Sequence, residues 1–308
     1  MILDFSKKIF VLAPLAGYTD LPFRRVAKRF GADLTVSEMV SSNALVFNPP
    51  RTERLLAKDP LENPYSVQLA GNDEDIITRA VGLLNEREGI DIIDLNCGCP
   101  VPKIVCHGSG SSLLKDLDKM GSLIAAIKKT SNKPYTSAKI RIGFDTKKGV
   151  EIAKMCEAAG ADFIAVHGRT RSGKFEAPVD YDEIGRIKAA VSIPVIANGD
   201  ITSYQKAHDV LAHTGADGVM IGRGAIGAPW IFYQLKYGES ALTPQLRKEI
   251  VLEHFNAMID FHGEFGVRLF RKHLHTYTKG MAEAATFRDK INRMDESLHV
   301  REAIEAFF

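Results

Sequence analysis

The 308-residue sequence predicts an α/β protein built as a closed (β/α)8 barrel. Three observations carry that prediction. Strand-sized apolar segments recur eight times, segments of helical periodicity stand between them, and the beat of about 30 residues per unit is the usual allowance for this barrel. In chain order the strand segments are IFVLAP (9–14), LTVSEM (34–39), YSVQLA (65–70), IDIIDLN (90–96), YTSAKIR (135–141), DFIAVHG (162–168), IPVIANG (193–199) and DGVMIGR (217–223). Between them DEDIITRAVGLLNER, DKMGSLIAAIKK, KGVEIAKMCEAAG and SYQKAHDVLAHTG carry helical spacing, and several end at a glycine that can take the left-handed C-cap. An open doubly wound sheet seldom needs eight units, which favours closure.

With 45% hydrophobic and 25% charged residues the composition is that of a soluble globular chain, long enough for one large domain and a smaller one. No apolar run approaches bilayer length, and MILDFSKKIFVLAPL carries charges where a signal peptide needs an unbroken apolar stretch. A cytoplasmic protein with no membrane partner is therefore expected, and it is taken to be a monomer. Four cysteines, three of them within ten residues, do not resemble a secreted disulfide framework, so reduced thiols are expected. A net charge of +2 names no partner.

Active sites of such barrels are built at the C-terminal ends of the strands. Here those ends offer Pro14, Leu15 and Ala16, then Glu38, Gln68, Asn96, Lys139 with Arg141, His167, Asn198 with Gly199 and Asp200, and Gly222 with Arg223. So many polar groups at one mouth suit a ligand with many polar atoms. ANGDI and IGRGAIG follow the last two strands, where barrels often bind phosphate: Gly222 and Gly224 allow close backbone approach, and Arg223 can add a bidentate contact. The same glycines could simply make tight turns. The stretch IIDLNCGCPVPKIVCHGSGSSLL (92–114) adds Cys97, Cys99, Cys106 and His107 behind a buried strand. It can be read as a metal site, a redox pair or the seat of one reactive thiol. C-x-C-x6-C-H is not a common structural zinc spacing, and Cys97 and Cys99 lack the two-residue spacer of thioredoxin-type pairs, so no metal is expected.

APLAGYTD (13–20), VQLAG (67–71), DLNCGCP (94–100), KIRIG (139–143), VHGRT (166–170), ANGDI (197–201) and MIGRGAIGAPW (220–230) together resemble the tRNA-dihydrouridine synthases, most closely the bacterial branch of the DusB type. The likeness continues past residue 240, where RLFRKHLHTYTKG is similar to that family's C-terminal helical domain. It implies a TIM barrel over residues 1–240, binding FMN, and a small all-α tRNA-docking domain over 241–308. Leu15 stands where the family usually has Met, and RSGKFEAPVDYDEI after HGRT departs from the family's Y-x-G-x-A-D-W.

The resemblance implies roles residue by residue. Pro14, Leu15 and Ala16 would line the isoalloxazine ring, while Gln68 and Lys139 would meet its polar edge, where an ammonium suits negative charge. His167, Asn198, Gly199, Asp200, Gly222 and Arg223 would hold the ribityl chain and phosphate, and Asn96 and Arg141 would face the uracil. Cys99, the cysteine of GCP, would be the general acid; an unperturbed thiol, pKa about 8.5, is mostly protonated at neutral pH and can donate. Cys97, Cys106 and Cys156 would be small buried residues. The implied reaction is NADPH-driven reduction of the C5=C6 bond of specific uridines in tRNA. From Arg268 to Arg293 seven Lys or Arg face two acids, and Arg271 and Lys272 are expected on the RNA surface. Two alternatives stand beside this. One is a dihydroorotate- or dihydropyrimidine-dehydrogenase-like flavoenzyme acting on free pyrimidines; the other is an RNA-binding protein without catalysis.

Overall fold

Nine strands organise the computed structural model, which describes residues 3–308: β1 (Ile9–Leu12), β2 (Leu34–Val36), β3 (Val40–Ser41), β4 (Tyr65–Ala70), β5 (Ile92–Cys97), β6 (Tyr135–Arg141), β7 (Phe163–His167), β8 (Val195–Asn198) and β9 (Gly218–Ile221). Every pairing between them is parallel. β2 pairs with β1 on one side and β4 on the other, and β1 pairs with β9, so eight strands close into the expected TIM barrel. β3 is an addition to the eight, set against the far end of β4 through Val40 and Leu69.

The second predicted segment, 34–39, is interrupted for a local reason. Ser37 N–H still donates to the Ser66 carbonyl at 2.8 Å, but the next acceptor, for Gln68 N–H at 3.0 Å, is the Ser37 hydroxyl. A side chain has taken the place of a ladder carbonyl, and the backbone leaves the sheet until Val40.

Alternate strand residues point into the barrel. Toward the N-terminal ends these are apolar: Ile9, Val11, Leu34, Ile92, Phe163, Ile196 and Met220 form one cluster with Leu3, and Phe5 plugs it, its ring 5.6 Å from that of Phe163. Two residues further along β5 and β6 the lumen turns polar, at Asp94 and Ser137. Outside the strands a second, larger apolar cluster fills the space under the helices. Those helices start where the sequence supplies caps: Asp73, Asp116, Asp180 and Ser203 each accept an N–H from the first turn. The helix Tyr204–Thr214 ends at Gly215, φ 67°, in the left-handed cap its sequence predicts.

Four helices follow the barrel: Pro244–His262, Phe265–Tyr277, Ala284–Asn292 and Ser297–Phe307. Their core of Phe255, Phe270, Leu274, Ile291 and Ile304 is continuous with Val26 of the first barrel helix, Leu21–Arg29, with Phe30 that caps it, and with Trp230. Two buried imidazoles sit at this seam. His254 shares a 2.7 Å hydrogen bond with the Tyr277 hydroxyl, and His273 stacks on Phe23 with centroids 5.5 Å apart. Burial drives both far below the usual histidine range, so both are neutral. Among the described residues no helix is long and apolar enough to cross a membrane.

One buried ion pair ties the first helix to the barrel. Arg24 Nε donates to Glu62 at 2.8 Å while its other nitrogens reach the carbonyls of Thr19 and Ala57, and Glu62 also accepts from Thr35 Oγ1 at 2.7 Å and Asp59 N–H at 2.9 Å. Arg24→Met strands a carboxylate that is fully buried, and should cost about 3–5 kcal/mol in urea denaturation. Arg24→Met with Glu62→Gln should recover much of that loss.

Candidate active site

The strand ends converge on one cavity of about 550 Å3 at the C-terminal mouth. Pro14, Leu15, Ala16, Gln68, Asn96, Cys99, Lys139, Arg141, His167, Asn198, Gly199, Asp200, Gly222 and Arg223 all line it. Arg271 and Lys272 do not belong to its wall, and they differ from each other. Arg271 is turned to the Met294 carbonyl at 2.8 Å and the Asp295 carboxylate at 3.0 Å. The ammonium of Lys272 reaches the Gly17 carbonyl beside the mouth, 4.9 Å from the centre of the Tyr18 ring. Gly17 N–H is held in turn by Glu38, whose carboxyl burial pushes up, so the loop after β1 is clasped from both sides.

The floor of the cavity is a hydrogen-bonded polar layer. Asp94 accepts from Ser137 Oγ at 2.6 Å and Gln68 Nε2 at 2.7 Å, Gln68 Oε1 accepts from Asn96 Nδ2 at 2.7 Å, and Asn96 Oδ1 accepts from Cys99 N–H at 2.9 Å. Beside them Lys139 donates to Asn198 Oδ1 at 3.2 Å, and Asn198 Nδ2 donates to the Met220 carbonyl at 2.7 Å. Burial raises the Asp94 carboxyl to about 6, still ionised at neutral pH.

The wall beside and above this layer is cationic. Burial and the charge of Arg141 pull the Lys139 ammonium down to about 8. Burial and Arg169 pull Arg141 down to about 10. Burial, with the charges of Lys139, Arg141, Arg169 and Arg223 around it, holds His167 at about 2, a neutral imidazole. Cations that suppress one another in a cavity make it a receptor for an anion. Arg141 is buried, and three of its hydrogen bonds go to the carbonyls of Gly98, Thr170 and Lys174, so it staples the cysteine loop to the loop after β7. Asp200, at φ 45°, is pinned by Arg169 and receives Arg223 at 2.8 Å.

Sequence reading missed Arg169, Phe175 and Met39. Arg169 is buried and holds both Asp200 and the Ala177 carbonyl; VHGRT contains it, in the bend directly after β7 that its own N–H closes on the His167 carbonyl at 2.7 Å. Phe175 lies between two guanidiniums, 5.3 Å from Arg141 and 4.8 Å from Arg223, in the loop that departs from the expected pattern. Met39 lines the cavity from the interrupted segment after β2.

The four thiols separate cleanly. Cys97 and Cys156 are fully buried, and burial pushes Cys97 well up and Cys156 up to about 12, which fits packing roles. Cys106 was expected to be buried and is exposed: the short helix Pro102–Cys106 that carries it has no buried residue. Cys99 alone lines the cavity. Its carbonyl accepts from Ser111 N–H at 3.1 Å, and a Cβ at Gly110, φ 61°, would come within 2.9 Å of that carbonyl. Among the described residues no group of three or more His, Cys, Asp or Glu side chains could hold a metal ion.

Residues 11–308 match the family model for dihydrouridine synthase. A probable tRNA-dihydrouridine synthase of Helicobacter pylori is 48% identical over 308 residues, covering 99% of this chain and 94% of that protein. A tRNA-dihydrouridine synthase B of Pseudomonas putida is 42% identical, covering 97% and 90%. Among solved structures, 6-hydroxypseudooxynicotine amine oxidase from Pseudomonas geniculata superposes with a TM-score of 0.57 at 14% identity, covering 75% of this chain and 47% of that one, a likeness of fold alone.

Lys139 bears a stability cost that the ligand-free protein exposes. Its native pKa lies below the ordinary 10.5, so the native state is penalised wherever the ammonium is charged. Lys139→Met should stabilise the ligand-free protein by about 1–3 kcal/mol at pH 7. That gain should be full below pH 8 and fade as the pH rises toward 10.5. Chemical denaturation at pH 7 and pH 10 measures both.

Proposed function

The chain belongs to the dihydrouridine synthase family, and on that premise we propose that it is a tRNA-dihydrouridine synthase, using FMN and NADPH to reduce specific uridines with Cys99 as proton donor. The observation that carries the cofactor part is the cationic cavity, whose Lys139, His167 and Arg223 suit a ligand with an anionic ring edge and a phosphate. The glycines fit the same ligand. A Cβ at Gly222 would meet only Ala13 and Leu15, at 3.5 Å and beyond, so the protein leaves room there; at Gly224 it would run into the Ile201 carbonyl. Gly222 is the N-cap of the short helix Arg223–Ile226, and N–H groups there suit a phosphate beside Arg223.

Held by Lys139, His167 and Arg223, bound FMN would supply the hydride chemistry that links NADPH to C6 of the uracil. The protein does the rest. Lys139 keeps a positive charge at the lumen floor, where it favours negative charge on the ring edge. Pro14, Leu15 and Ala16 form the apolar wall. Asp200 restrains Arg223, so little rotamer freedom is lost when an anion arrives. Cys99 Sγ gives its proton to C5, which with hydride at C6 completes 5,6-dihydrouridine.

Residues 1–240 act as the catalytic domain and 241–308 as the tRNA-docking domain in this reading. Lys272 is the better placed of the two chosen basic residues to meet an RNA phosphate near the mouth, since Arg271 is engaged with Asp295.

Cys99→Ala should retain FMN and oxidise NADPH normally while dihydrouridine formation falls about 100- to 10,000-fold. Near-normal dihydrouridine content, read by mass spectrometry of treated tRNA, would falsify the assignment. Activity of the parent on free pyrimidines but not on tRNA would favour the dehydrogenase-like reading instead. Lys272→Ala should reduce the magnitude of the log–log salt slope of tRNA binding by about 0.7–0.9, the share of one phosphate contact.

A further inference from the structure

The hydrogen bonds climbing from the lumen floor to the cysteine loop all run in one direction. An ionised carboxylate can only accept, and Asp94 accepts from Ser137 Oγ at 2.6 Å and from Gln68 Nε2 at 2.7 Å. With its nitrogen turned to Asp94, Gln68 presents its oxygen to Asn96, whose Nδ2 donates to it at 2.7 Å. With its nitrogen so engaged, Asn96 presents its oxygen to the loop, and Oδ1 accepts N–H groups of Cys99 at 2.9 Å and Gly98 at 3.2 Å. Reversing either amide would set donor against donor or acceptor against acceptor. The two amides are therefore set between an acceptor-only carboxylate below and donor-only N–H groups above. Asp94 is 5% exposed, Gln68 1% and Asn96 7%, so little bulk water is at hand to satisfy a reversed group.

We infer that Asp94 is a positioning residue: its carboxylate fixes the orientation of Gln68 and Asn96, and through them the backbone of Cys99 and the aim of its thiol into the cavity. The inference rests on the role of Cys99 proposed above. Asp94 never touches the reacting atoms. It supplies the one acceptor-only group that sets the direction of the relay.

The test reverses the relay and then restores it. Asp94→Asn brings an amide that can turn either its oxygen or its nitrogen to Gln68, so the direction is no longer enforced by an acceptor-only group. Adding Gln68→Glu restores it, because the amide introduced at 94 can donate to the carboxylate introduced at 68, whose other oxygen again accepts from Asn96. The readout is the rate at which Cys99 of the flavin-free, full-length protein is alkylated by iodoacetamide, in a Cys106→Ser background because Cys106 is the exposed thiol. Asp94→Asn should change that rate about tenfold, the equivalent of one hydrogen bond, and the double variant should return within about twofold of the parent. A structural role alone predicts instead that the double variant is as displaced as the two single changes combined, and that result overturns the inference, as does a parent-like rate in Asp94→Asn. Should Asp94→Asn fail to fold, Asn96→Asp serves: it turns a carboxylate oxygen toward Gln68 Oε1 and should displace the Cys99 rate likewise, an unchanged rate overturning the inference. Alkylation requires neither flavin nor tRNA. If the relay behaves as described while Cys99→Ala still reduces uridine, the proposed role of Cys99 fails and the positioning of its loop stands.

Discussion

Closing eight strands into a ring leaves a lumen that bulk water does not fill, and the rest of the molecule is organised around that constraint. Every second strand residue enters the lumen, so a polar side chain there must find its partner inside the ring. Below Asp94 the ring is packed with apolar side chains from Ile9, Ile92, Phe163 and Ile196. Above it, carboxylate, amides and ammonium satisfy one another in layers. The height at which the lumen turns polar fixes the depth of the cavity, and the cations that ring its wall fix the sign of what it will hold.

Much of this was legible in the sequence, for physical reasons that differ by element. Strand segments such as IDIIDLN read clearly because burial on both faces demands a run of apolar and β-branched residues, and the strand-end residues read clearly because a period of two brings them to one rim. The break after Val36 did not, since it depends on Ser37 meeting Gln68 across the sheet. Arg141 sat where expected, yet three of its hydrogen bonds go to Gly98, Thr170 and Lys174, carbonyls whose positions depend on two loops that no periodicity describes. Cys97 and Cys156 were placed correctly as packing residues. Cys106 was not, because a five-residue helix is too short to show a period, and this one buries none of its residues fully.

The cavity wall shows how charge and backbone conformation are coupled. Asp200 is a non-glycine residue at φ 45°, and two arginines hold its carboxylate. Arg169 anchors that carboxylate from the buried side and also holds the Ala177 carbonyl, so one guanidinium restrains the turn after β8 and the loop after β7 together. Phe175, carried by that loop, lies against Arg223 and Arg141 and shields part of the wall from solvent. The loop that departs from the family pattern is thus built into the cationic wall itself.

The core shared by the first barrel helix and the last four helices has a consequence in time. Val26 and Phe30 pack against Phe255, Phe270 and Ile304, which lie more than two hundred residues later in the chain. A ribosome adding about 5–20 residues per second needs on the order of 10–50 s to synthesise that interval. Through that interval the emerging protein carries one helix whose apolar face has no permanent cover. Its sequence must stay soluble alone, and Leu21–Arg29 is built for that, with Arg24, Arg25, Lys28 and Arg29 set among its apolar residues. The contact between Leu21–Arg29 and the last four helices therefore cannot form until those helices have been made.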